Sequence, residues 1–257
     1  MKRTKRTLSL LVALAMVLLS ATTAFAGTYS IFGDDNRTSV STTSGTNYSI
    51  CKIEITYDTG AVEYGTGFLI SSTKVITAGH VLHYKNKTAK KLKLYFGCTG
   101  TKKANEIIEM DCTSENIYYS SSWANNHTVA TDYGAIKLPK EVTGPTNFFT
   151  LKPAGSLTGK DITITGYEAT EIVTGFTDWQ LLQGKGTITS QNSSGSMLRT
   201  RTDALPGQSG SPVVYGGNVI GIYTSSADGG YFFDEPTTEA NYITGITDDV
   251  KTALEKF

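Results

Sequence analysis

The sequence predicts an all-β protein: two antiparallel β-barrels followed by a short C-terminal helix. Three observations carry this. The 257 residues are 39% hydrophobic and only 18% charged, with 26 Gly and 14 Tyr, so a full core is affordable while helix-forming runs are few. Short runs of β propensity recur from residue 49 to about residue 246 between clusters of Gly, Asn and Ser. The most proline- and turn-rich junction, residues 139–145, divides those runs into two comparable sets.

The chain opens with Lys2, Arg3, Lys5 and Arg6, then an almost wholly apolar stretch over residues 8–19, then Ala24-Phe25-Ala26. A basic start, a short apolar run and small residues at the cleavage positions read as a secretory signal over residues 1–26. The run is too short for a comfortable membrane span. Its removal takes away four basic residues, changing a balance of 23 against 23 to 19 against 23. A secreted, extracellular and mildly acidic body is expected, with no membrane attachment after cleavage. That charge excludes a nucleic-acid binder held by a broad basic surface.

Residues 27–48 are polar and aperiodic and read as an extended arm. Residues 49–138 are expected to form the first barrel, and residues 139–257 the second barrel with the terminal helix. In the first strand, Cys51, Ile53, Ile55 and Tyr57 share one face, and Lys52, Glu54 and Thr56 share the other. Cys51 therefore reads as a buried free thiol. Leu92, Leu94 and Phe96 lead to Cys98, and Ile108 and Met110 lead to Cys112. A hairpin between these strands makes Cys98–Cys112 the favoured disulfide of the possible pairings. Further strands are read at residues 67–70, 74–77, 134–138, 161–165 and 219–223. At the end, Thr247 suits an N-cap and Asp248 and Asp249 the first turn, with Val250, Leu254 and Phe257 on one face.

Three segments carry reactive groups. Thr77-Ala78-Gly79-His80-Val81 follows a strand, Thr131-Asp132-Tyr133-Gly134-Ala135-Ile136 enters one, and Gly207-Gln208-Ser209-Gly210-Ser211-Pro212 precedes Val213-Val214. Singly, each has an ordinary reading as a strand end, a turn or a Gly-Ser loop. Together they supply His80, Asp132 and Ser209 in that order, 52 and then 77 residues apart. A serine hydroxyl needs a base to act as nucleophile at neutral pH, and His80 is the base available. Asp132 would fix the imidazole tautomer and stabilise its cation. The backbone N–H groups of Gly207 and Ser209 are the candidate donors to the oxyanion. His80 and His83 lack the HExxH or Cys-pair spacing of a zinc site, so no metal or other cofactor is expected. His83 and His127 read as solvated or locally bonded, Trp123 and Trp179 as packing anchors, and the lysines between residues 85 and 93 as a solvated edge.

With these motifs the chain resembles the chymotrypsin-fold (trypsin-like) serine endopeptidases, and most closely the secreted bacterial branch of V8-like glutamyl endopeptidases. TAGH, DYGAI and GQSGSPV match that branch, and Ile31-Phe32-Gly33-Asp34-Asp35-Asn36-Arg37-Thr38 is similar to its mature start. The resemblance implies two antiparallel six-stranded β-barrels with a cleft between them, protein or peptide substrates, and a monomer. It also implies a specificity pocket near Asp203, Ala204, Tyr223 and Thr224. Where the glutamate-specific enzymes carry Thr and His, this chain has Ala204 and Tyr223. Glutamate specificity is therefore the alternative, and polar or basic residues are expected to be better accepted. A weakly catalytic toxin or adhesion-type binder on the same fold is the second alternative. An α/β-hydrolase esterase needs alternating helices and the order Ser, Asp, His, which this chain lacks.

Overall fold

A computed structural model describes residues 31–100, 104–145, 147–153, 155–169, 179–226 and 240–257. The signal-like stretch over residues 1–26 lies outside the described residues. Strands dominate, as the short β-branched and aromatic runs require. They are β1 (Thr38–Ser39), β2 (Ile50–Tyr57), β3 (Val62–Ser71), β4 (Lys74–Thr77), β5 (His83–Tyr84), β6 (Lys87–Phe96), β7 (Glu106–Asp111), β8 (Ile117–Tyr119), β9 (Gly134–Lys137), β10 (Asp161–Tyr167), β11 (Leu181–Gln191), β12 (Met197–Thr200), β13 (Pro212–Tyr215), β14 (Asn218–Ser226) and β15 (Asn241–Gly245). Three short helices accompany them: α1 (Gly79–Leu82), α2 (Ser121–Asn126) and α3 (Asp248–Lys256).

The strands make two barrel-like antiparallel sheets. In the first, neighbours run β5-β6-β2-β3-β4-β9-β8, with β7 added on β6. In the second, β11-β10-β13-β14-β15-β12 closes on itself because β12 also pairs with β11. Strand β1 extends that barrel, with Thr38 opposite Gln183 and Ser39 opposite Leu182. The N-terminal arm thus begins on the second barrel before the chain enters the first. Inward residues fill both interiors, with Ile53, Phe68, Ile76 and Leu94 fully buried in the first and Ile164, Val213 and Ile243 in the second.

The terminal helix has the cap and the face read from its sequence. Thr247 Oγ1 accepts the Val250 N–H at 3.3 Å, which satisfies one of the otherwise unpaired first-turn donors. Val250 and Leu254 are buried in the cluster that contains the first-barrel core. Phe257 stacks on Tyr118 with centroids 5.5 Å apart. The helix therefore follows the second barrel in sequence and packs back onto the first.

One expectation changes. The β6–β7 hairpin forms, but no disulfide joins Cys98 and Cys112. The register explains it: Phe96 faces Glu106 near the turn, while the Cys112 N–H reaches the Lys90 carbonyl at the far end. The two thiols sit at opposite ends of one ladder, beyond disulfide reach. Cys51 is buried and free, and burial pushes its thiol up. On the polar face of β2, Lys52 is also fully buried. Its ammonium lies 4.9 Å from the Tyr64 ring centre and 4.7 Å from that of Trp179, an aromatic setting that favours a cation.

Candidate active site

Pairing of β4 with β9 creates the first half of the site. Thr77 lies opposite Gly134, so the turn after β4 and the turn before β9 come to the same edge of the first sheet. His80 sits in α1, and Asp132 ends the 3-10 turn Val129–Thr131. Asp132 grips His80 twice. Its Oδ1 accepts the His80 backbone N–H at 2.7 Å, and its Oδ2 lies 2.7 Å from Nδ1. With Asp132 only 1% exposed, a carboxylate in this position favours the proton on Nδ1 and leaves Nε2 as the basic nitrogen.

The second barrel braces this pair. From β15, Thr244 Oγ1 donates to the Val129 carbonyl at 2.5 Å and lies 3.1 Å from the Asp132 carbonyl. Trp123 is fully buried beside His80, with ring centroids 6.1 Å apart, and its Nε1–H donates to the His83 carbonyl at 2.7 Å. His83 stacks on Tyr119 at 4.7 Å and shares a 2.9 Å contact with Thr88 Oγ1. Burial, and next the nearby His127, hold the His83 imidazole below its ordinary range. His83 is thus locally engaged.

Ser209 stands in the loop over residues 205–210, which is stitched to the first barrel. Thr66 on β3 does most of this. Its Oγ1 donates to the Gly207 carbonyl at 2.9 Å and accepts the Tyr167 N–H at 3.0 Å. The Thr66 N–H donates to the Ser209 carbonyl at 2.8 Å. Gly210, at φ +90°, lies so close that a Cβ there would stand 2.0 Å from the Thr66 carbonyl oxygen and 3.1 Å from Ala78 N. Only glycine permits that approach. The loop is thereby held against the strand ends that lead to His80.

The peptide planes of the loop are also fixed. The Pro206 carbonyl accepts the Ala169 N–H at 2.8 Å, and the Gln208 carbonyl accepts the Ser211 N–H at 2.9 Å. In a trans peptide the N–H points opposite to the C=O. The N–H groups of Gly207 and Ser209 therefore point away from those partners, and they donate to no acceptor among the described residues. The Ser209 hydroxyl donates to the Thr224 carbonyl at 3.1 Å. An imidazole held by a buried carboxylate, a hydroxyl on a rigid loop and two uncommitted N–H donors are the groups that acyl transfer requires.

The expected pocket residues are placed differently. Asp203 is fully buried and faces the N-terminal segment: its Oδ1 accepts the Phe32 N–H at 2.8 Å and its Oδ2 the Asn36 N–H at 3.0 Å. Both Asp203 oxygens are thus occupied by backbone donors of the arm. Arg201, two residues earlier, lies 5.6 Å over the Phe32 ring. Ala204 and Tyr223 pack in the second-barrel core, where burial holds the phenol well above its ordinary range. Thr224 turns its own hydroxyl to the Tyr242 carbonyl at 3.1 Å.

Sequence reasoning missed a buried polar network behind the loop. The Arg37 side chain is wholly buried. It pairs with Asp35 through Nε and Nη2 at 2.9 and 2.7 Å, and its Nη1 lies 2.5 Å from Glu168 Oε1 and 3.2 Å from Gln208 Oε1. Arg37 belongs to the segment that resembles a mature start, which was the one available signal. Thr66 and Thr244, single threonines within strands, offered none.

Residues 65–222 match the model of the trypsin-like peptidase domain. Over 234 residues the chain is 29% identical to an extracellular metalloprotease of Bacillus subtilis (strain 168), covering 86% of this chain and 67% of that protein. Among solved structures, a Glu endopeptidase in complex with MPD superposes with a TM-score of 0.73 at 21% identity, over 88% of this chain and 98% of that one. A scabies mite inactivated protease paralogue, S-D1, gives a TM-score of 0.61 at 13% identity, over 84% and 95%. The metal belongs to the name of the Bacillus relative. Among the described residues no group of three or more His, Cys, Asp or Glu is placed to hold an ion, and the His80 Nδ1 is committed to Asp132. The described residues therefore do not fit a metal centre.

Proposed function

Because the chain belongs to the trypsin-like peptidase family, we propose that it is a secreted serine endopeptidase in which Ser209 attacks, His80 moves the proton and Asp132 holds the imidazole. The observation that carries this reading is the double grip of Asp132 on His80, next to a Ser209 loop whose Gly207 and Ser209 N–H groups are uncommitted among the described residues. The Ser209 hydroxyl turns from the Thr224 carbonyl to His80 Nε2 as substrate enters. Its oxygen then adds to the scissile carbonyl while Nε2 takes its proton. The negative oxygen of the tetrahedral intermediate accepts from Gly207 and Ser209. His80 returns the proton to the leaving amine, and water repeats the sequence on the acyl-enzyme.

Secretion is supported by the basic, apolar and Ala24-Phe25-Ala26 pattern of residues 1–26. The Bacillus relative is named extracellular, and no helix among the described residues is long and apolar enough to cross a membrane. The inactivated mite paralogue shows that this fold alone does not decide activity. Here His80, Asp132 and Ser209 are all present, which favours catalysis over a binder.

On specificity, Asp203 offers no free carboxylate, Ala204 no polar group and Tyr223 a neutral phenol. A neutral residue on the acyl side of the bond is therefore preferred over Glu, Lys or Arg. The test is kcat/KM of the mature protein on matched peptides with Glu, Gln, Lys, Arg, Phe and Leu at that position, beside a Ser209→Ala control. Ser209-dependent hydrolysis favouring neutral residues is expected. A hundredfold preference for Glu over Gln, about 2.7 kcal/mol, would contradict the specificity proposal. Hydrolysis unchanged in Ser209→Ala would contradict the mechanism.

A further inference from the structure

Behind the Ser209 loop lies a cation with an unusual set of partners. Arg37 reaches the loop from the N-terminal arm, 171 residues away from Gln208 in sequence. Its approach is fixed by two contacts at once, since the Phe32 and Asn36 N–H groups dock on Asp203. The guanidinium then spans both supports of the loop. On one side Nη1 lies 3.2 Å from Gln208 Oε1, the same oxygen that accepts the Leu205 N–H at 2.8 Å. On the other side it pairs with Glu168, whose neighbour Ala169 donates to the Pro206 carbonyl at 2.8 Å. That last bond sets the Pro206–Gly207 peptide plane, and so the direction of the Gly207 N–H.

Burying a cation with two carboxylates is costly, and apolar residues of like volume are often at least as stable. Burial pushes the Glu168 carboxyl up while Arg37 draws it back down. A group retained at such cost, touching both anchors of one loop, points to a task in that loop. Gln208, immediately before Ser209, carries no charge, so the electrostatic hold on the loop comes from Arg37 rather than from a residue beside the nucleophile.

We propose that Arg37 is the positioning residue of the oxyanion loop: carried on the docked arm, it locks Gln208 and the 168–169 turn so that the Gly207 and Ser209 N–H groups converge on the reacting oxygen. This rests on the serine-endopeptidase reading above. Arg37 touches no substrate and acts only through the loop. A planar guanidinium with five donors can engage Asp35, Glu168 and Gln208 together, whereas an ammonium cannot match that fork.

The test is kcat and KM measured separately for the wild type, Arg37→Met, Arg37→Lys and the double variant Arg37→Met/Glu168→Met, each with its melting temperature. Arg37→Met and Arg37→Lys are expected to lose about tenfold to a hundredfold in kcat, short of the full loss of one oxyanion donor, with KM changed by less than about threefold. The double variant removes the orphaned carboxylate, so its melting temperature recovers towards wild type while its kcat stays low. Wild-type kcat in a folded Arg37→Met, or recovery of kcat along with melting temperature in the double variant, overturns the proposal and leaves the enzyme reading intact. A wild type without Ser209-dependent hydrolysis fails that reading, and this proposal with it.

Discussion

Gly207→Ala sets one methyl group against the geometry of the oxyanion loop. At φ +96° the new Cβ would stand 2.1 Å from Ala169 N and 2.5 Å from the Glu168 carbonyl carbon. Both obstacles are backbone, so no side chain can swing aside. Left-handed backbone adds about 1–2 kcal/mol of strain for a residue with a Cβ. Restoring ordinary contact near 3.4 Å requires a separation of about 1.3 Å, and a displacement of about 1 Å in reacting geometry costs on the order of a hundredfold. The Gly207 N–H moves with that peptide, so losing the donor outright would cost about 10²- to 10³-fold in kcat. The assay is kcat and KM on an activated ester and on a peptide, with circular dichroism and thermal melting to show that the variant folds. A drop in kcat of about a hundredfold or more in a folded protein is expected. A folded Gly207→Ala with wild-type kcat would refute the assignment of Gly207 as an oxyanion donor.

Two further outcomes follow from the same geometry. Asp132→Asn keeps the shape but can donate where Asp132 only accepts, which favours the wrong His80 tautomer, so kcat should fall by about 10⁴-fold with little change in melting temperature. Steady-state kinetics on purified protein checks this, and a loss below tenfold would contradict the role given to Asp132. All three cysteines should alkylate in denatured protein without prior reduction, because no disulfide joins Cys51, Cys98 or Cys112. Native protein should react slowly, since burial pushes the Cys112 thiol up to about 12 and the thiolate is the nucleophile. A mass two hydrogens short of three thiols would reveal a disulfide, and peptide mapping that placed it at Cys98–Cys112 would contradict the β6–β7 register.

How much of this was legible in the sequence depends on the range of the contact. Alternation in β2 announced Ile53 and Ile55 as core because strand periodicity is local. The helix cap at Thr247 was equally local. The proposed triad of His80, Asp132 and Ser209 rests on motif and order, whereas the strand pairing that brings His80 to Asp132 was not legible. The Asp203 direction was invisible because its partners, Phe32 and Asn36, lie more than 160 residues away. Lys52 read as an ordinary polar-face residue until Tyr64 and Trp179 closed over it. The Cys98–Cys112 expectation failed on register: a hairpin brings strands together, but only the turn decides which residues face each other.

The central claim is that Ser209 is a nucleophile activated by His80 and served by the donors of its own loop. The most direct measurement is labelling of the folded mature protein with a fluorophosphonate probe, followed by mass mapping of the modified peptide. Stoichiometric label on Ser209 is expected, with labelling lost in His80→Ala and abolished in Ser209→Ala. Label on Ser211, or no label on folded and correctly processed protein, would contradict it.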